Sequence, residues 1–174
     1  MKDMLEQGVI ESRSEGSAWT SPIVLVKKKD QTWRFCVDFR GVNKVTNKAN
    51  NPLPRPEDNL NSLYGCTRFS CLDIKSAYYQ IGMTERAKER SAFVVPGYGV
   101  HVFKKMPFGL VNAPFSFQSL VEKALPVAKD GRLFKDNDSL CFAYIDDIVI
   151  PSRTIEEGLD NLETILEALI QHGL

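Results

Sequence analysis

Histidine and paired cysteine are what this sequence has least of. Only two histidines, His101 and His172, occur in 174 residues, and the four cysteines, Cys36, Cys66, Cys71 and Cys141, form no CxxC pair. A zinc site therefore lacks its usual ligands, and reduced thiols in an intracellular protein are the simpler account. Net charge is also missing, since Lys+Arg and Asp+Glu both number 22. Whole-chain charge leaves no nucleic-acid footprint, so any basic surface must be local. No apolar run approaches a membrane span, and the start, Met1-Lys2-Asp3-Met4-Leu5-Glu6, is too acidic for a signal peptide. What remains, 43% hydrophobic and 25% charged residues, suits one domain with room for two lobes.

The most informative stretch is Cys141-Phe142-Ala143-Tyr144-Ile145-Asp146-Asp147-Ile148-Val149-Ile150. Two runs rich in aromatic and β-branched residues flank adjacent carboxylates, which predicts two strands joined by a tight turn with acids at its tip. Unpaired carboxylates between apolar strands either face water or neutralise a cation. Asp-Asp is a poor two-residue hairpin turn, because it supplies no glycine where positive φ is required. An acidic turn and a functional pair stand level on this segment alone. A third carboxylate, Asp73 in Phe69-Ser70-Cys71-Leu72-Asp73-Ile74-Lys75-Ser76-Ala77-Tyr78, favours function, although Asp73 could equally cap a following helix.

Along the chain, residues 3 to 10 read as a short helix stopped at Gly8, and Glu11 to Ser17 as a loop. Ile23-Val24-Leu25-Val26 and the run Trp33 to Arg40 read as a hairpin, with Trp33, Phe35, Val37 and Phe39 on one face. Its tip carries Lys27, Lys28 and Lys29 with Arg34 close behind. That patch could hold phosphates, but a lysine run is more often a solvated turn. Asn43 reads as a turn residue. Residues 46 to 56 read as an extended crossing segment, and Pro56 to Tyr64 as a short helix closed by Gly65. Arg68 to Leu72 form a strand ending at Asp73. Residues 82 to 92 are polar, and Phe93 to Phe103 read as strand, glycine-centred turn, strand. His101, in an apolar run, suits a structural role. Asn112 is a candidate cap for a helix whose buried stripe is Phe117, Leu120, Val121, Ala124 and Leu125. Pro107 and Gly109 fix a backbone that something could approach closely, and a plain loop explains them equally well. Residues 128 to 139 form a polar loop. A capping box at Thr154 opens a last helix with Ile155, Leu159, Leu162, Leu166 and Leu169 as its expected buried stripe.

Carboxylates with neither histidine nor cysteine select hard cations, Mg²⁺ or Mn²⁺, and Mg²⁺ usually shares its sphere with substrate phosphates. If Asp73 and Asp146 meet on neighbouring strands, two such ions could serve an in-line phosphoryl displacement.

Trp33 to Asn43 (WRFCVDFRGVN), Leu72 to Ile81 (LDIKSAYYQI), Met106 to Gln118 (MPFGLVNAPFSFQ) and Tyr144 to Asp147 (YIDD) resemble the ordered signature blocks of reverse transcriptases, in the version found in gypsy-like long-terminal-repeat retrotransposons. YIDD alone is a weak signal, and four blocks in order are specific. The resemblance runs from about residue 5 to the end. It implies an α+β right-hand polymerase in which an antiparallel palm sheet packs on helices. Fingers are expected at about residues 1–48 and 81–112 and palm at about 49–80 and 113–174, with primer grip, thumb and ribonuclease H following. By resemblance, Asp73, Asp146 and Asp147 are the catalytic acids, holding two Mg²⁺ or Mn²⁺ ions with the Ile74 carbonyl. Lys28 and Arg34 would bind the triphosphate, Tyr78 would gate the incoming sugar, and Phe108-Gly109 would lie beneath the nucleotide. Tyr144 and Asn43 would meet the template-primer. Expected partners are an RNA or DNA template-primer duplex, deoxynucleoside triphosphates and the other polyprotein domains, in the cytoplasm or virus-like particles. Three departures stand out: Gln31 where relatives often have glycine, a long loop between Gln118 and Tyr144, and Pro151 at an often aromatic position. The rival readings are a relic that only binds nucleic acid or acts as an interaction module, and an RNA-dependent RNA polymerase.

Overall fold

The computed structural model describes residues 1–49, 53, 63–128 and 139–174. The helix expected over Pro56–Tyr64 and most of segments 46–56 and 128–139 lie outside the described residues. Among these residues the elements run α1 (Lys2–Glu6), β1 (Ile10–Arg13), β2 (Ile23–Lys27), β3 (Trp33–Val37), α2 (Arg40–Lys44), β4 (Arg68–Asp73), a 3₁₀ turn (Ala77–Gln80), α3 (Glu85–Arg90), β5 (Phe93–Val95), β6 (Gly99–Phe103), α4 (Ala113–Ala124), β7 (Phe142–Tyr144), β8 (Asp147–Ser152) and α5 (Ile155–His172). They form three antiparallel sheets of order β1-β6-β5, β2-β3 and β4-β8-β7. The chain divides into two compact units, 1–49 with 78–113 and 50–77 with 114–174.

The first unit is built on aromatic packing. Phe93 is fully buried, with ring centroids 5.6 Å from Phe35, 5.2 Å from Phe103 and 5.7 Å from His101. His101 is buried too, its Nε2 3.2 Å from the Ser12 hydroxyl and its Nδ1 3.3 Å from the Gly99 carbonyl oxygen. Its role is packing. The β5–β6 turn uses Gly97 and Gly99 at φ +79° and +82°, values that only glycine adopts freely.

Two local readings are corrected here, and a stretch described only as polar proves to hold a helix. Residues 10–13, most of them expected in a loop, are strand β1, because pairing with β6 overrides their polar composition. Within the polar stretch 82–92, α3 forms because the Thr84 hydroxyl accepts the Ala87 N–H at 3.3 Å and Lys88 reaches Glu85 at 2.6 Å. The strand expected through Arg40 stops at Val37 and turns into α2. Asp38 makes that turn, its carboxylate accepting the Arg40 N–H at 3.0 Å and gripping the Arg40 guanidinium at 2.6 to 2.9 Å.

In the second unit, Phe117, Val121 and Ala124 of α4 and Leu125 just past it are buried as expected, while Leu120 is half-buried. Asn112 does not cap it; within the first unit, that side chain accepts the Ala49 N–H at 2.9 Å and donates to the Asn47 carbonyl at 2.9 Å. α5 packs on β8 and β4, but on a face rotated from the expected one. Of the expected stripe, Leu169 is buried and Leu162 half-buried, but Ile155 and Leu159 are more than half exposed and Leu166 is 42% exposed, while Asn161 and Ile165 are buried in their stead. Gly158 explains the rotation, since a Cβ there would stand 2.7 Å from the Ser152 hydroxyl. Only the glycine face lets the helix approach the strand. Pro151 also finds its reason: it lies past the last β7–β8 pair, Phe142 with Val149, where β8 needs no N–H toward β7.

Gly158→Ala should therefore destabilise the protein in denaturant unfolding, because overpacking of about 1–3 kcal/mol outweighs the roughly 1 kcal/mol of helix propensity gained. Gly158→Ala with Ser152→Ala should recover at least the parental stability. Arg40 holds the Asp38 carboxyl down to about 2 from the ordinary 3.8. A depressed carboxyl stabilises the fold fully above its unfolded value and progressively less as pH falls toward its folded one. Stability should drop across that acid window, and Asp38→Asn should remove that part of the slope.

Candidate active site

The three carboxylates singled out in the sequence are brought to one end of the β4-β8-β7 sheet. Asp73 is the register partner of Asp147, and Asp147 is also the partner of Tyr144. The Ile74 N–H donates to the Asp146 carbonyl at 2.9 Å. A bond at the 74–146 pair makes 73–147 a non-hydrogen-bonded pair, the kind whose side chains stand closer together. Asp73 and Asp147 are exposed and Asp146 is half-buried. No cation or hydrogen-bond donor is recorded on any of the three carboxylates among the described residues. Like charges directly opposite one another destabilise a sheet, so this pair is an electrostatic cost that a bound cation would offset. Among the described residues, however, no group of three or more His, Cys, Asp or Glu side chains stands together as a metal cage. A pair of carboxylates with open positions matches Mg²⁺, which is held by one or two carboxylates plus substrate phosphates.

The turn is as short as the sequence suggested but is shifted by one residue toward the N-terminus. Ile145 and Asp146 are its central residues, while Asp147 already belongs to β8. Ile145 takes φ +57°, the sign pattern of a type II′ turn with a β-branched residue where glycine is usual. That conformation costs about 1–2 kcal/mol for a residue bearing a Cβ. Gln118 meets the turn from α4, and sequence reading missed it. The signals were a polar residue beside the apolar stripe and its place as the last residue of the Met106–Gln118 block, and it is buried.

The first unit carries the remaining candidates. Lys27, Lys28, Lys29 and Arg34 line a concavity of about 480 Å³ at the β2–β3 tip, with Val26 and Asp30. The tip is held by the Lys28 N–H on the Thr32 carbonyl at 2.8 Å and by Asp30, which accepts the Thr32 hydroxyl at 2.6 Å and the Thr32 N–H at 3.0 Å. Those bonds push the Asp30 carboxyl below its ordinary value. Gln31 adopts φ +67°, so the turn keeps a glycine-type conformation without glycine. Tyr78 packs against Phe108 with centroids 4.8 Å apart, and Tyr79 meets the same ring edge-on at 5.4 Å. Phe108 is 53% exposed. Gly109 has φ +95°, and a Cβ there would lie 3.5 Å from Phe39. Asn43 donates to the Gly109 carbonyl at 2.8 Å and accepts the Val111 N–H at 2.9 Å. Both ends of its amide are thus engaged in holding the 109–111 loop. Tyr144 lies beside the acids and is 40% exposed.

Residues 26–174 match the family described as reverse transcriptase (RNA-dependent DNA polymerase). The chain is 33% identical over 99% of its length to the retrovirus-related Pol polyprotein from transposon opus of Drosophila melanogaster, covering 17% of that protein. It is 32% identical over its whole length to the Pol polyprotein from transposon gypsy of the same fly, covering 16% of it. The transposon Tf2-3 polyprotein of Schizosaccharomyces pombe is 32% identical over 97% of this chain and 12% of that one. The chain thus spans about a sixth of the length of its fly relatives. Among solved structures, a foamy viral protease-reverse transcriptase in complex with an RNA/DNA hybrid superposes with a TM-score of 0.82 at 26% identity, over 98% of this chain and 21% of that one. The same viral protein in complex with double-stranded DNA gives 0.77 at 26% identity, over 98% of this chain and 33% of that one.

Asn43→Ala should cost about 1 kcal/mol in denaturant unfolding, because it removes both loop bonds while water can reach the exposed Gly109 carbonyl. Asn43→Asp should recover only the half that depends on accepting the Val111 N–H.

Proposed function

The chain belongs to the reverse transcriptase family, and from that premise we propose that it is the RNA-directed DNA polymerase core of a retrotransposon polyprotein. The observation that carries this reading is the pairing of Asp73 with Asp147, with Asp146 tied to Ile74 beside them. The reaction is attack of a primer 3′-hydroxyl on the α-phosphate of a deoxynucleoside triphosphate, with loss of pyrophosphate.

Asp73, Asp146 and Asp147, with the Ile74 carbonyl, would hold two Mg²⁺ or Mn²⁺ ions together with substrate phosphates. Divalent ions there supply charge neutralisation at the attacking and leaving oxygens. Lys28 and Arg34 bind the triphosphate, whose transfer depends on positioning and charge. Tyr78 closes the sugar site against a 2′-hydroxyl, and its packing on Phe108 fixes the ring for that task. Phe108 and Gly109 support the nucleotide, and Asn43 acts on the template side through the loop that it holds. Tyr144 meets the primer terminus. The partner is a template-primer duplex, in keeping with the RNA/DNA hybrid and double-stranded DNA bound by the foamy viral proteins. The basic β2–β3 tip reconciles nucleic-acid work with zero net charge, since backbone contacts need only a lined groove. We assign residues 1–49 and 78–113 to fingers and 50–77 and 114–174 to palm. No helix among the described residues is long and apolar enough to cross a membrane.

In a longer polyprotein segment carrying this chain, Asp73→Asn and Asp146→Asn should each lower primer extension by more than about 100-fold, the scale on which loss of one transition-state charge partner is felt. Extension at the parental rate would overturn the assignment, and binding without extension by the parental protein would mark a relic. Tyr78→Ala should raise ribonucleotide incorporation, and an unchanged ratio of ribo- to deoxynucleotide use would remove Tyr78 from the sugar site.

A further inference from the structure

The structure assigns to Gln118 of α4 the role of positioning residue for the Tyr144–Asp147 turn, a role that rests on the polymerase reading of the acids. Gln118 is 4% exposed. Its Oε1 accepts the Ile145 N–H at 2.8 Å, and its Nε2 donates to the Ala143 carbonyl at 3.1 Å and to Glu122 Oε1 at 2.8 Å. Tyr144 and Asp147 close the hairpin as a pair, so the backbone groups of Ala143 and Ile145 point to the outer edge of β7, away from β8. A carbonyl and an N–H two residues apart are what a neighbouring strand would take up. The Gln118 amide supplies one peptide's worth of that missing strand. Glu122, one helical turn on, accepts the second amide hydrogen and so fixes which end is oxygen and which is nitrogen.

This explains how Ile145 stays at φ +57°. A β-branched residue leaves that region readily unless its surroundings over-determine it. Here the two peptides that flank the central one of the turn are both held, Tyr144–Ile145 by Gln118 on the Ile145 N–H and Asp146–Asp147 by the Ile74 N–H on the Asp146 carbonyl. Removing the first hold lets Ile145 relax to negative φ, and the Asp146 carboxylate turns with it. Gln118 touches no reacting group; it acts through the turn.

The amide cannot be replaced without loss. Gln118→Met keeps the length and removes all three bonds. Gln118→Glu keeps an acceptor for the Ile145 N–H, but when ionised it faces the Ala143 carbonyl and Glu122 without a hydrogen to give. Protonation restores that donor, and the two neighbouring acceptors raise the pH at which it happens.

The test is made in a longer polyprotein segment carrying this chain, with primer-extension kinetics and amide hydrogen exchange. Gln118→Met should lose exchange protection at the Ile145 amide and lower kcat by roughly 10–100-fold, the range seen when partners that orient metal ligands are removed, with KM for the nucleotide little changed. Gln118→Glu should regain activity relative to the parent as pH falls, a profile that a packing role would not produce. Ile145→Gly added to Gln118→Met should restore much of kcat, because glycine holds positive φ unaided. Asp146→Asn is run alongside. If it abolishes extension while Gln118→Met keeps both kcat and the Ile145 protection, the inference falls and the polymerase reading stands. If Asp146→Asn extends primers normally, that reading itself fails. Should Gln118→Met not fold, the pH profile of Gln118→Glu decides, and a profile parallel to the parent's would overturn the role.

Discussion

Two carboxylates are set opposite one another by backbone pairing, and the placement of the candidate site depends on that register. The β4–β8 register sets Asp73 opposite Asp147 at a non-hydrogen-bonded position, where side chains approach closely. A sheet built for stability alone would put opposite charges or branched apolar residues there. Ile148, Ile150 and Ile165 are buried in the same unit, with α5 packed on β8 and β4. This apolar layer fixes the strand register that sets the two acids opposite one another.

The devices around the pair are all backbone-directed. Ile74 bonds the Asp146 carbonyl, Gln118 serves the β7 edge, and Pro151 sits where no N–H is needed. The first unit uses the same economy: Asn43 spends its whole amide on the 109–111 loop, and Asp38 turns β3 into α2 by gripping Arg40. Among the described residues, strain is concentrated at Gln31, Ser76 and Ile145, all at positive φ, and these lie in the basic tip, three residues after Asp73 and in the acidic turn. Strained backbone persists where surrounding bonds over-determine it, and such places are often functional.

How far the sequence alone could be read depends on whether the deciding force was local. The β2–β3 and β5–β6 hairpins were legible because period-2 patterning and glycine turns are local signals. The candidate acids were legible because carboxylates embedded in apolar runs are conspicuous, and the ordered blocks gave them a family context. β1 was missed because its only warrant is pairing with β6. The face of α5 was misjudged because Ile155, Leu159 and Leu166 form a good apolar stripe, yet Gly158 against Ser152 decides which side approaches the sheet. Gln118 was visible as the end of a signature block but its role was not, because a glutamine in a helix says nothing about the edge of a strand that begins more than twenty residues later.

The most direct measurement is the thermal stability of the protein with and without Mn²⁺, compared between the parent and Asp73→Asn. If the opposed carboxylates are a cost that a divalent cation relieves, the variant melts higher than the parent in the absence of metal, and Mn²⁺ raises the parent's midpoint while leaving the variant's almost unmoved. Equal shifts with Mn²⁺ in both proteins, or a variant that melts lower than the metal-free parent, would contradict the account.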